Sequence, residues 1–247
     1  MRLQLISDLH SEFWSPAQLF ERITIVSDLD FLVIAGDTVV PGRQPEANMK
    51  AVFRHFSSLA KNVILAEGNH EYYGSLSTEE TEKRIQDMLP ANYHWLRNNE
   101  LTIDGIHFFG GAMWFNNDDG LNQFYEREMN DFNLIKHFTK WVYDRNKEFT
   151  AKATELVRPE TIVVTHYLPH SSCTPEKFKN EPTNRFFVCD QTALIEQKRP
   201  RLWLFGHTHM PCDHTLGETR LVCNPFGYPN ETYKINGNPY PVAVFDI

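Results

Sequence analysis

A series of short apolar segments, each running into Asp, Asn or His, constrains this chain more than any other feature. Residues 3–6 lead into Asp8-Leu9-His10, 31–35 into Gly36-Asp37, and 63–66 into Gly68-Asn69-His70-Glu71. Residues 161–165 lead into His166, and 202–205 into Gly206-His207-Thr208-His209. Short β-prone runs bounded by polar or Gly/Pro/Asn residues read as buried strands. Residues i and i+2 of an extended chain share a face, so Asp8 with His10, and His207 with His209, are each expected to present two side chains together. Packing alone gives no reason for all these strand ends to finish in metal-ligating residue types. The pattern predicts one site assembled at strand ends from distant parts of the chain.

Further apolar runs lie at 106–109, 220–223 and 242–245, with helical stretches between several of them. Residues 45–59 carry Met49, Val52, Phe53 and Phe56 at helical spacing, and 78–89 open with acidic residues suited to a helix N-terminus. A stripe through Phe138, Trp141, Val142, Arg145 and Phe149 makes 124–157 read as helix. Strands alternating with helices indicate an α/β layered fold. With no internal repeat or linker in view, 1–247 reads as a single domain. One stretch, 112–139, interleaves Trp114, Phe115, Phe124, Tyr125 and Phe132 with Asn116, Asn117, Asp118 and Asp119. It reads either as core packing or as a flap or cap, within 112–157, that touches the non-reacting part of a substrate.

The net charge of −8 argues against a protein that coats nucleic acid, but not against an anionic substrate at a locally positive site. The four cysteines show no C-x-x-C spacing and read as free thiols in a reducing compartment. The opening residues carry no basic segment followed by a long apolar one, and the apolar runs are too short to span a bilayer. A cytoplasmic protein with no membrane partner is expected. His55, His94, His107, His137 and His214 read as ordinary polar residues.

The candidate ligands are Asp8, His10, Asp37, Asn69, His166, His207 and His209. Imidazole, carboxylate and amide oxygen without thiolate suit manganese, iron or zinc rather than a cysteine-closed structural zinc. Seven ligands exceed the needs of one tetrahedral ion and suit two divalent ions sharing a carboxylate. Two such ions about 3.5–4 Å apart can clamp the attacking and leaving oxygens of a displacement at phosphorus. Held by Asp8 and Asp37 alone among carboxylates, they would leave a local positive excess that attracts phosphate.

The ordered set Asp8-x-His10, Gly36-Asp37, Gly68-Asn69-His70-Glu71, His166 and Gly206-His207-x-His209, with Asn224-Pro225 beyond it, resembles the calcineurin-like metallophosphoesterase superfamily. The resemblance implies a four-layer α/β/β/α sandwich with a dinuclear metal site at the strand carboxyl ends. It also implies a set of roles. Asp8, His10 and His209 would hold one ion, Asn69, His166 and His207 the other, and Asp37 would bridge them. His70 would be the acid to the leaving oxygen, and a metal-bridging hydroxide would attack phosphorus. His170, Arg43 and Arg185 are candidate substrate contacts.

The expected partner is a small phosphoester, a nucleotide among the candidates, and nucleic-acid binding is not expected. Relatives among the protein phosphatases resemble G-D-x-V-D-R-G after the bridging Asp, whereas this chain has Val40 and Pro41 in place of the Asp-Arg pair. That departure favours phosphodiesters. The alternatives are a phosphomonoesterase or nucleotide-conjugate hydrolase on the same site, and a scaffold protein of the same fold with little catalysis.

Overall fold

The computed structural model describes residues 1–231 and 242–247, and hydrophobic alternation sorts them into layers. β1 (Arg2–Ile6), β2 (Leu29–Ala35), β3 (Ala60–Ala66) and β4 (Tyr93–Leu96) run parallel, and β11 (Ala243–Asp246) adds antiparallel beside β1. The second sheet follows the order β5-β6-β7-β8-β10-β9. Its parallel centre is β6 (Ile106–Gly111), β7 (Ile162–Thr165), β8 (Leu202–Phe205) and β10 (Thr219–Cys223), with β5 (Asn99–Ile103) and β9 (Cys212–Leu216) as antiparallel edges.

The strands alternate apolar residues to both faces, as strands buried on both sides must. Along β2, Phe31, Val33 and Ala35 face the second sheet, while Leu32 and Ile34 face the helices. On β8, Leu202 and Leu204 face the first sheet and Trp203 and Phe205 point away from it. Against the outer face of the first sheet pack α1 (Pro16–Arg22), α2 (Glu46–Ser57) and α3 (Thr78–Met88), through Leu19, Phe53, Phe56 and Ile85. The second sheet's outer face is covered by segments that include α5 (Val142–Leu156) and α6 (Thr192–Lys198). The result is a four-layer α/β/β/α sandwich. No helix of the described residues is long and apolar enough to cross a membrane.

Two expectations change. The stretch 124–157 is not one helix: α4 (Asn130–Leu134) and short 3-10 turns precede α5. The cause is local. Leu134 O accepts from Gly74 N, Ile135 bridges Tyr73, and His137 takes a left-handed backbone with φ 55°. A segment pinned to residues 73–74 and turned at His137 cannot continue as helix. Strands β4, β5 and β9 were not evident from apolar runs, since β5 and β9 are edge strands that interleave polar residues. Within 112–139, Trp114 and Phe115 are core residues and Phe132 packs partly buried against them. Nearer the site, Glu128 to Asp131 line a cavity.

Candidate metal centre

All the ligand-type residues leave the carboxyl ends of parallel strands, where an α/β sheet places its ligands. The backbone there is tight. Asp8, His10, Asp37 and His207 have φ of 53°, 44°, 54° and 66°. A left-handed conformation costs a non-glycine residue on the order of 1 kcal/mol or more and persists where the surroundings impose it. Asp8 and His10 are therefore not brought together by an extended chain, as alternate spacing predicted; β1 ends at Ile6 and the chain turns. Interloop bonds hold the turns: Asp8 N donates to Gly36 O at 3.1 Å, His10 N to Asp37 O at 2.9 Å, and His207 N to Asp8 Oδ1 at 3.0 Å. Gly36 has φ 89°, and a Cβ there would lie 2.3 Å from His166 Nδ1.

The seven side chains converge around Asp37. Asp37 Oδ2 lies 3.7 Å from His10 Nε2 and 3.5 Å from His166 Nε2. To one side, His209 Nε2 is 3.0 Å from His10 Nε2 and 3.6 Å from Asp8 Oδ1. On the other, His166 Nε2 is 3.0 Å from Asn69 Oδ1 and 3.2 Å from His207 Nδ1.

Outer partners decide what these atoms present to one another. His166 Nδ1 donates to Ala35 O at 2.9 Å, His209 Nδ1 to Glu231 Oε2 at 2.6 Å, and His10 Nδ1 to Glu12 Oε1 at 3.3 Å. Asn69 Nδ2 donates to Asp131 Oδ1 at 2.8 Å, which turns Asn69 Oδ1 toward His166. Each neutral ring committed at Nδ1 keeps its lone pair on Nε2. In the neutral form that a metal binds, His10 and His209 aim lone pairs at each other and His166 aims one at the Asn69 oxygen. Without a metal, burial disfavours charge on His166, but the Asp37 carboxylate outweighs it, pushes the pKa up to about 10 and favours a proton there. Facing lone pairs repel unless a cation takes them both. The donor set fits metal ions, and it contains no thiolate.

His70 sits beside this array in a 3-10 turn, His70–Tyr72, not in an extended stretch. Its backbone N donates to Asp37 Oδ1 at 2.9 Å, Nδ1 is 2.7 Å from Glu12 Oε1, and Nε2 is 3.2 Å from the Tyr228 hydroxyl. Burial disfavours its charge, but the Asp37 and Glu12 carboxylates outweigh that and push its pKa up to about 9. Glu12 itself is buried, yet hydrogen bonds from His10 and His70 hold its pKa down to about 2. One carboxylate thus ties a ligand-type histidine to the candidate acid. Position 40, where related phosphatases resemble Asp, is a buried Val here.

Glu71 supports the array from below. Its Oε2 accepts from Asp37 N at 3.1 Å and Gly68 N at 2.7 Å, and its Oε1 from Thr38 N at 2.6 Å and Val39 N at 3.4 Å. Burial and the nearby Asp37 carboxylate push its pKa up to about 7 against the pull of these amides. Glu71 was visible within its motif but without a role. Glu12, Asp131, Tyr228 and Glu231 gave no local signal, because their relation to the site is tertiary.

Two cavities open beside His70 and share it with Tyr73, Asn130 and Tyr228. One, of about 410 Å³, is lined by Arg43, whose guanidinium lies over the Tyr73 ring, 5.5 Å from its centroid. The other, of about 360 Å³, is lined by Lys177, Phe178, Phe187 and Met210. His170 and Arg185 line neither. His170 Nδ1 is bound to Ser172, and Arg185 is paired with Asp119 and stacked over Tyr125.

The model of the calcineurin-like phosphoesterases matches residues 1–211, and the chain belongs to that family. An uncharacterized protein of Acanthamoeba polyphaga mimivirus is 24% identical over 278 residues, covering 99% of this chain and 96% of its own. The crystal structure of phosphopantetheinyl hydrolase from Mycobacterium tuberculosis shares the fold, with a TM-score of 0.74 at 15% identity over 98% of this chain and 95% of that one.

The Glu71 contacts give a prediction independent of metal. Glu71→Gln replaces one acceptor oxygen with an NH₂ group facing amide donors. A buried donor left without a partner costs about 1–3 kcal/mol. Urea unfolding in the presence of a chelator should show a loss of about that size. Unchanged stability would mean that Glu71 does not hold the two loops together.

Proposed function

With membership of the calcineurin-like phosphoesterase family as the premise, we propose that this protein is a two-metal hydrolase of small phosphodiesters. The observation that carries the reading is the set of lone pairs converging on Asp37 with His70 beside them. Asp8, His10 and His209 would hold one ion, Asn69, His166 and His207 the other, and Asp37 would serve both. Manganese, iron and zinc all suit these donors. Bound there, such ions supply the Lewis acidity that activates water and neutralises charge on the phosphoryl oxygens.

The chain's own residues do the rest. Glu12 stays ionised and holds His70 at Nδ1, so the proton available for transfer is on Nε2, the nitrogen facing Tyr228. That proton goes to the leaving oxygen. A diester has two substituents on phosphorus, and the two cavities that meet at His70 offer a place for each. Arg43 in one and Lys177 in the other are cations within reach of a phosphate, although Glu128, Glu181 and Glu231 also line the second cavity. Pro41, beside the buried Val40, stands where the protein-phosphatase branch would have the Arg that grips a dianionic monoester.

The direct test is hydrolysis of matched aryl diesters and monoesters by protein reconstituted with manganese, iron or zinc. A higher kcat/KM for the diester is expected, and a clear preference for the monoester under the same conditions would overturn the ordering. A second prediction concerns Glu12→Gln. Losing the carboxylate lowers the His70 pKa, so the alkaline limb of the kcat profile, where the acid form is lost, should move to lower pH. A positioned acid contributes roughly 10²–10⁴-fold, so alkyl esters should slow toward that range while p-nitrophenyl esters slow less. Equal effects on good and poor leaving groups would assign Glu12 to ligand support through His10 alone.

A further inference from the structure

On the outer side of the second sheet, Cys173, Cys212 and His214 bring one donor atom each within 4.8 Å of one another. Cys212 and His214 are i and i+2 on edge strand β9, whose burial alternates so that both face inward. Cys173 ends the 3-10 turn Ser171–Cys173 in the segment after β7. Cys212 Sγ lies 3.3 Å from His214 Nδ1.

The state of His214 follows from its neighbours. Ser172 N donates to His170 Nδ1 at 3.1 Å, so that nitrogen carries no proton. The Ser172 hydroxyl, 2.7 Å from the same nitrogen, is therefore the donor to it. Its oxygen in turn accepts from His214 Nε2, also at 2.7 Å. This relay leaves the His214 lone pair on Nδ1, directed at Cys212. A ligand histidine whose far nitrogen is held by an outer partner is the usual support of a metal site. Zinc binds sulfur at about 2.3 Å and nitrogen at about 2.0–2.1 Å, which sets tetrahedral ligands about 3.4–3.8 Å apart. The cluster needs only small side-chain shifts to reach that spacing.

We propose that Cys173, Cys212 and His214 form a zinc site distinct from the Asp37 array, with solvent in the fourth position. Two thiolates and an imidazole select zinc over the harder ions. Cys212 and His214 are partly exposed, which gives an ion a way in. The site joins the segment after β7, which begins at His166, to the strand following His209, so it clips together two loops that carry ligands of the Asp37 array. Thr174 and Met210, beside the clip, line the 360 Å³ cavity. Its ion would brace that wall.

Cobalt tests the site by spectroscopy, because the Asp37 array has no thiolate. Titrating the reduced full-length protein with cobalt should produce a thiolate-to-cobalt charge-transfer band with the intensity of one thiolate-bound cobalt per chain, whatever further cobalt the Asp37 array takes up, and zinc should bleach it. The band should persist in Asp37→Asn and in Cys189→Ser, and vanish in Cys212→Ser that keeps native ellipticity. Ser172→Ala should retain the band with affinity weakened about 10–100-fold, as loss of an outer-shell partner does. No band in the wild-type protein, or a band that survives Cys212→Ser, would overturn the site. Because the readout ignores the phosphoesterase centre, its failure leaves that reading standing, and the reverse holds too.

Discussion

The carboxylate of Glu71 is the contact on which the centre depends. It gathers backbone N–H groups from the loop after β2 and the loop after β3, which would otherwise be buried donors without acceptors. With both loops held on one carboxylate, Asp37 is fixed in a left-handed conformation and His70 N can reach its side chain. Glycine at 68 is part of the same constraint, since a Cβ there would lie 2.2 Å from Asp37 Oδ1. The strained backbone is therefore imposed by the surroundings and points the ligand-type side chains inward.

Beyond that, the arrangement is one of acceptors made to face acceptors. Ala35 O, Glu231, Glu12 and Asp131 each occupy the donor side of an inner residue and leave its lone pair toward the centre. Asp131 comes from the short helix α4 that precedes α5, and it also accepts from the Tyr73 hydroxyl at 2.7 Å. That explains why the chain there abandons a continuous helix: its backbone is anchored to residues 73–74 and its carboxylate to Asn69. A segment that reads as aromatic packing in sequence also orients the ligand-type side chain of Asn69.

Much of this was legible from sequence, for identifiable reasons. The central strands are buried on both faces, so their apolar runs stand out, and ligand types at their ends mark the site. Asp8, His10, Asp37, Asn69, His166, His207 and His209 all come together as the spacing and the family resemblance implied. The local reason was wrong for Asp8 with His10 and for His207 with His209, where left-handed backbone at Asp8, His10 and His207 replaces an extended chain. Edge strands β5 and β9 escaped notice because half-exposed strands carry polar residues. Glu12 lies two positions from His10, yet its contact with His70 spans 58 residues and leaves no local pattern. His214 reads alone as an ordinary histidine, and only the fold sets Cys173 beside it.

The central claim is that the array around Asp37 holds two ions that share its carboxylate. Anomalous diffraction at the manganese edge, from crystals of the manganese-reconstituted protein, tests it most directly. The account predicts two peaks about 3.5–4 Å apart. Asp37 should lie between them, with His10 and His209 on one ion and His166 and His207 on the other. A single peak, or two peaks that do not share Asp37, would contradict it.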